Sequence, residues 1–184
     1  PAPVAGQLER AKARVEAVRD VDVGDLLGRD PVPPNPRLLD ACIHGKVVMV
    51  TGAGGSIGSE LCRQILRLKP AQLLLFEMSE LALYNIDREL RMLMVNEGLS
   101  VDLVALLGDA HHKHRVREIL QIYGVQTIYH AAAYKHVPIV EQNVIEGIYN
   151  NIFGTMNAAE AALECRVETF VLISTDKAVN PTNV

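Results

Sequence analysis

Residues 46–69 read KVVMVTGAGGSIGSELCRQILRLK, and the order of features in this stretch decides the fold. Residues 46–51 form a continuous apolar, β-branched run, the pattern of a strand buried on both faces. Residues 56–69 place Ile57, Leu61, Ile65 and Leu68 on one face of a helix. Between them lies TGAGGSIG, with Gly52, Gly55 and Gly58 spaced three apart. A missing Cβ at those points permits a tight turn, close approach of backbone N–H groups to a ligand, and close packing of helix on strand. The helix start at Ser56 and Ile57 offers unpaired N–H donors and partial positive charge, which suits a pyrophosphate. The spacing is not G-x-G-x-x-G, and no Lys-Ser/Thr pair follows to make a P-loop. Strand, glycine turn and helix together predict a dinucleotide site.

The same alternation continues along the chain. Apolar runs at 71–77, 101–109, 125–133 and 167–175 predict four more strands, with helices over 82–94, 112–123 and a long one over 141–164. Strands alternating with helices require crossover connections, hence an α/β fold: a Rossmann-type doubly wound parallel sheet, truncated after its fifth strand. Upstream the pattern is different. AGQLERAKARVEAVRD has Leu8, Val15 and Val18 at roughly helical spacing, and GRDPVPPNPR crowds Pro31, Pro33, Pro34 and Pro36 together. Residues 1–43 therefore read as a helix and a proline-rich linker, and 44–184 as the nucleotide-binding domain.

Bulk composition narrows the partners. A net charge of −4 gives no reason to expect nucleic acid, and 4% aromatics without Trp leaves no base-stacking platform. Cys42, Cys62 and Cys165 share no CxxC spacing, which suits free thiols in a reducing compartment. No apolar run reaches bilayer length and no signal peptide is visible. A chain opening on Pro1 is expected to be a piece of a longer protein.

Parallel sheets bind ligands at the carboxyl ends of their strands. Glu77 closes the second strand, where a carboxylate accepts from both ribose hydroxyls and repels a 2′-phosphate; this predicts NAD rather than NADP. Asp109 and Ala110 follow the third strand, where the acid can face an adenine amino group. Ala131, Ala132 and Ala133 end the fourth and leave room for ribose and pyrophosphate. Lys135 and His136 begin the loop beyond and are candidate substrate or cofactor contacts. Asn150 and Asn151 fall inside the long helix, where a buried amide needs partners. Ser174, Thr175, Asp176 and Lys177 put four hydrogen-bonding side chains at the end of the fifth strand. His111, His112 and His114 in HHKH read as a solvated helix start rather than a metal site.

Several motifs resemble one family. GKVVMVTGAGGSIGSEL, AAAYKHVP, NNIFGT and STDKAVNPTNV, with DLLGRDPV upstream, are similar to bacterial polysaccharide-biosynthesis nucleotide-sugar 4,6-dehydratases of the extended short-chain dehydrogenase/reductase superfamily. The resemblance implies an NAD-dependent enzyme acting on a UDP-N-acetylglucosamine-like substrate, with its catalytic domain on the cytosolic side of a membrane to which the parent protein is anchored. It also implies a homo-oligomer, with helices around 141–164 as the contact. In such chemistry hydride leaves sugar C4, the 4-keto group acidifies the C5 proton, water departs from C6 and hydride returns there. The family pattern puts Thr175 beside the C4 oxygen, Asp176 as acid for the C6 hydroxyl and Lys177 as base at C5. Ser174 and Asn151 are placed with the cofactor. The superfamily's Tyr-x-x-x-Lys pair, with Met for Tyr in some members, would fall just after Val184. A nucleotide-sugar 4-epimerase and a non-catalytic dinucleotide sensor are the alternative readings.

Overall fold

Alternate residues of a strand point to opposite faces of its sheet, and here both sets are apolar. In the computed structural model, which describes residues 35–175, this produces two core layers on one sheet. The expected N-terminal helix in AGQLERAKARVEAVRD and the linker prolines before residue 35 lie outside the described residues, as do Asp176 and Lys177.

The strands are β1 Val47–Thr51, β2 Gln72–Glu77, β3 Asp102–Leu107, β4 Thr127–His130 and β5 Thr169–Leu172. They pair in parallel in the order β3-β2-β1-β4-β5. This is the Rossmann order, with its reversal between β1 and β4. Val48, Val50, Leu73, Leu75 and Tyr129 face one layer, filled by Cys62, Ile65 and Leu66 of α2 (Ser56–Arg67) and Leu83, Ile86 and Leu90 of α3 (Glu80–Glu97). Met49, Leu74, Phe76 and Ile128 face the other, beneath Val116, Ile119 and Leu120 of α4 (Lys113–Tyr123) and Ala161 and Ala162 of a later helix. Burial pushes the Cys62 thiol pKa up, as expected for an inert structural cysteine.

Two expectations need correction. The extended linker does not run to residue 43, because Pro36–Ile43 forms a helix, α1. Proline is tolerated at a helix's first position, where its missing N–H would be unpaired anyway. Leu39 and Ile43 then fall one turn apart and pack on the α2–α3 layer, with Ile43 only 1% exposed. The Thr127 hydroxyl donates to the Cys42 carbonyl at 2.7 Å and closes this end of the sheet.

The long helix over 141–164 is not continuous. It is divided into α5 (Val137–Gln142), α6 (Val144–Ile148), a π-helical turn (Tyr149–Gly154) and α7 (Thr155–Glu164). Pro138 sits in the first turn of α5, and Asn143, with φ −134° and ψ 52°, separates it from α6. Gly147 lets the two pack closely, since a Cβ there would come within 2.6 Å of Val140 Cγ1. Among the described residues, no helix is long and apolar enough to cross a membrane.

Candidate functional site

The carboxyl edge of the sheet collects most of the residues the sequence singles out. Gly52 follows β1 with φ +64°, and a Cβ there would meet Ala131 O and Ala132 Cα at 2.8 Å. Gly58 is tighter, since its Cβ would sit 1.9 Å from Gly52 O. These glycines let the chain pack on itself. Gly55 is different: its N–H donates to Gly52 O at 3.0 Å, and a Cβ would touch only that oxygen, at 3.2 Å. As N-cap of α2 it has no side chain to cap the first turn, so the N–H groups there are donors for an outside acceptor. Lys135 Nζ donates to Ser56 Oγ at 2.8 Å, which brings a cation to the same helix end. A positive helix terminus and an ammonium side by side fit a doubly charged pyrophosphate. The residues present therefore suit a dinucleotide.

Glu77 is 8% exposed and already at work. Its Oε2 accepts from Gly54 N, and its Oε1 from Met78 N and Ser79 N, all at 3.0 Å. One carboxylate thus ties the glycine turn to the start of α3, leaving part of its acceptor capacity for ribose hydroxyls. In Glu77→Gln an N–H₂ group replaces one of these acceptors and faces a backbone N–H. Cofactor titration should show weaker NAD⁺ binding in Glu77→Gln, and in Glu77→Ala also poorer discrimination against NADP⁺. Unchanged titrations would remove Glu77 from the site.

Gly108 N donates to the Glu77 backbone carbonyl at 3.0 Å, so Asp109 leaves the sheet at the carboxyl end of the β2–β3 pair. Asp109 Oδ1 accepts from His111 N at 2.9 Å and faces His111 Nδ1 at 3.0 Å. Ala110 is buried in the α4 layer. His111 therefore serves its own loop, while His114 turns to Glu118 at 3.5 Å. Ala131 N bonds Thr51 O at 3.1 Å, fixing the start of the alanine run over the glycine turn. Ile173 N bonds His130 O at 3.0 Å, so Ser174 and Thr175 leave the sheet at this same edge. His136 is the N-cap of α5 and makes no side-chain capping bond.

Asn151, expected with the cofactor, is bonded to the loop backbone. Its Oδ1 accepts from Tyr134 N at 2.8 Å and its Nδ2 donates to Tyr134 O at 3.0 Å, with Asn150 Nδ2 on the same Oδ1 at 3.0 Å. That amide is largely spent on the loop backbone.

Sequence reasoning passed over a buried polar chain at the switch point. His130 is 1% exposed, with Nδ1 2.8 Å from Thr51 Oγ1 and Nε2 3.1 Å from Thr155 Oγ1, and it stacks on Phe170. The signal was present: Thr51 and His130 are polar residues ending apolar strands. Burial alone holds the His130 pKa down to about 4, so the ring is neutral near pH 7. Unfolded, the ring binds a proton near its ordinary 6.5, so between these values the unfolded state carries the extra proton. Stability should fall as pH drops from 6.5 to 4, by about 3 kcal/mol in all for this group. Urea midpoints across that window in wild type and His130→Gln check this: the variant should lack this part of the slope.

The fold and its strand-end groups define a Rossmann-type α/β domain. The chain belongs to the polysaccharide biosynthesis protein family, whose description matches residues 48–184. It is 44% identical over 181 residues to the capsular polysaccharide biosynthesis protein CapD of Staphylococcus aureus, covering 98% of this chain and 29% of that protein. It is 32% identical over 142 residues to a Campylobacter jejuni UDP-N-acetylglucosamine 4,6-dehydratase (inverting), covering 77% of this chain and 40% of the relative. The chain thus spans well under half the length of these relatives. The solved UDP-glucose 4-epimerase of Bifidobacterium longum, in complex with NAD⁺ and UDP, shares the fold at TM-score 0.60 and 18% identity, over 73% of this chain and 38% of that one.

Proposed function

We propose that this chain is the cofactor-binding part of an NAD-dependent nucleotide-sugar 4,6-dehydratase that takes a UDP-N-acetylglucosamine-like substrate in surface-glycan biosynthesis. The observation that carries the cofactor is the convergence of the glycine turn, the bare α2 N-terminus, Lys135 and Glu77 at one switch point. Identity to the Campylobacter jejuni dehydratase supports the choice of reaction.

When bound, NAD⁺ supplies reversible hydride chemistry at sugar C4 and C6. The residues of this chain do the rest. Gly55, Ser56 and Ile57 bind the pyrophosphate, Glu77 the ribose hydroxyls and Asp109 the adenine amino group. Ala131 to Ala133 give the ligand room, and Ser174 stands by the nicotinamide end. Lys135 serves phosphate, of cofactor or substrate, and His136 lies next to it. Thr175 hydrogen-bonds the C4 oxygen, Asp176 protonates the departing C6 hydroxyl, and Lys177 takes the C5 proton. That division needs a protonated Asp176 and a neutral Lys177, both of which a desolvated site provides.

The catalytic domain works on the cytosolic side in a membrane-anchored parent, as a homo-oligomer. The exposed apolar side chains Ile145, Tyr149, Ile152 and Met156 along the α6–π–α7 run support self-association. The deciding experiment is incubation of the intact protein with UDP-N-acetylglucosamine and NAD⁺. A 4-keto-6-deoxy sugar is expected. A C4 epimer without keto product would establish the 4-epimerase instead, and absence of any product with NAD⁺ bound would favour a sensor.

A further inference from the structure

Residues 131–136, between β4 and α5, belong to no helix or strand, yet they carry the alanine run and Lys135. Besides the Ala131 N–Thr51 O and Lys135–Ser56 bonds, two contacts to them come from the π turn and the first residue of α7. At one point the Asn151 amide takes both backbone groups of Tyr134, at 2.8 and 3.0 Å, as a neighbouring strand would. At the other, Thr155 Oγ1 lies 3.1 Å from His130 Nε2, immediately before Ala131. Asn150 Nδ2 on Asn151 Oδ1 sets which end of that amide accepts. Thr51 Oγ1 at 2.8 Å from His130 Nδ1 carries the chain on to the end of β1, beside Gly52.

Both fastenings depend on Asn151 and Thr155 facing the same way. Positions four apart lie on one face of a helix, and Asn151 in the π turn Tyr149–Gly154 and Thr155 at the start of α7 are such a pair. A neutral imidazole has one N–H, so it donates to one threonine hydroxyl and accepts from the other, and both hydroxyls can rotate to suit. With His130 only 1% exposed, no water replaces a lost hydroxyl cheaply.

We propose that Asn151, Thr155 and His130 are positioning residues that bolt the segment 131–136, at Tyr134 and at its β4 root, to the π turn and the start of α7. Thr155 acts through His130 without touching any ligand. The consequence for cofactor affinity rests on the dinucleotide reading of the site; the bolt itself does not.

The test uses the full-length protein, with amide hydrogen exchange to read the bolt and NAD⁺ calorimetry to read its effect. Thr155→Val keeps the shape and removes the hydroxyl, and Thr155→Ser keeps the hydroxyl. In Thr155→Val the Ala131 and Tyr134 amides should exchange faster while those of β1 and β2 keep their protection, and NAD⁺ should bind about tenfold more weakly. Thr155→Ser should restore both. Asn151→Asp, which sets a carboxylate oxygen against Tyr134 O, should loosen Tyr134 in the same way and stands in if Thr155→Val does not fold. Unchanged Tyr134 exchange in Thr155→Val or in Asn151→Asp, or equal losses in the Val and Ser variants, would overturn the proposal. If wild type binds no NAD⁺, the dinucleotide reading falls, and exchange at Tyr134 still decides the bolt.

Discussion

Gly58→Ala is expected to abolish NAD⁺ binding and to destabilise the domain by about 3 kcal/mol or more, at the upper end of what overpacking costs. The added carbon would sit 1.9 Å from Gly52 O and 2.7 Å from Gly52 C, both backbone atoms. No rotamer change relieves such a contact. Relief has to come from moving the turn or withdrawing α2, and both carry the phosphate donors away from the β4 end. Gly98→Ala provides the comparison. Gly98 caps α3 with φ +64°, but nothing lies within 4 Å of its missing Cβ. That substitution should cost only the left-handed backbone penalty, about 1 kcal/mol, and leave NAD⁺ affinity alone. Urea denaturation and cofactor titration on the two variants separate steric closure from conformational preference. Equal stability loss with retained binding in Gly58→Ala would show that the turn is not the phosphate cradle.

The fold was legible because its strands advertise themselves. KVVMVT and AQLLLFE are apolar on both sides of the period-two alternation, which only a doubly covered sheet satisfies, and each is followed by helix-spaced residues. Strand ends were less exact: the fourth was expected over 125–133 but stops at His130. Alanine is compatible with strand, helix or loop, so Ala131–Ala133 gave no stop signal, and tertiary contact with Gly52 decides the matter. The break in the long helix escaped for a similar reason. Tyr149 to Gly154 has no proline, and its Asn151 bonds the backbone of a residue seventeen positions away. Pattern reading within one window does not see such partners.

The site divides along the same line. That Gly52, Gly58 and Glu77 gather at the turn after β1 could be read from the residue type and its place after a strand, because the requirement is local. Asn151 could not: a polar residue in a helix announces that it needs partners but not which ones, and its partner is the backbone of Tyr134. The cation of Lys135 was visible, while its reach to Ser56, seventy-nine residues away, was not. Gly54 was passed over among its glycine neighbours, yet its missing side chain admits Ala82, and its N–H meets Glu77.

On the proposed dehydratase reading, Asp176→Asn and Lys177→Ala in the full-length protein should each lower turnover by about 10²- to 10⁴-fold, the usual worth of a positioned acid or base. β5 is bonded to β4 as far as Ile173, and the chain then passes Ser174 and Thr175 at the edge where the glycine turn and alanine run meet. Asp176 and Lys177, the proposed acid and base, follow directly in sequence. Asparagine fills the space of aspartic acid but has no proton to give, so loss of the C6 hydroxyl should stop while the C5 proton is still removed. Alanine at 177 removes the base, so C5 should not exchange at all. Incubation in D₂O separates the two: deuterium at C5 of recovered sugar is expected in Asp176→Asn and absent in Lys177→Ala. NAD⁺ affinity should stay near wild type in both, because neither side chain is assigned to the cofactor. Turnover unchanged in both variants would remove the pair from the mechanism. Deuterium at C5 in Lys177→Ala would shift the base to another residue and leave Asp176 alone as the acid.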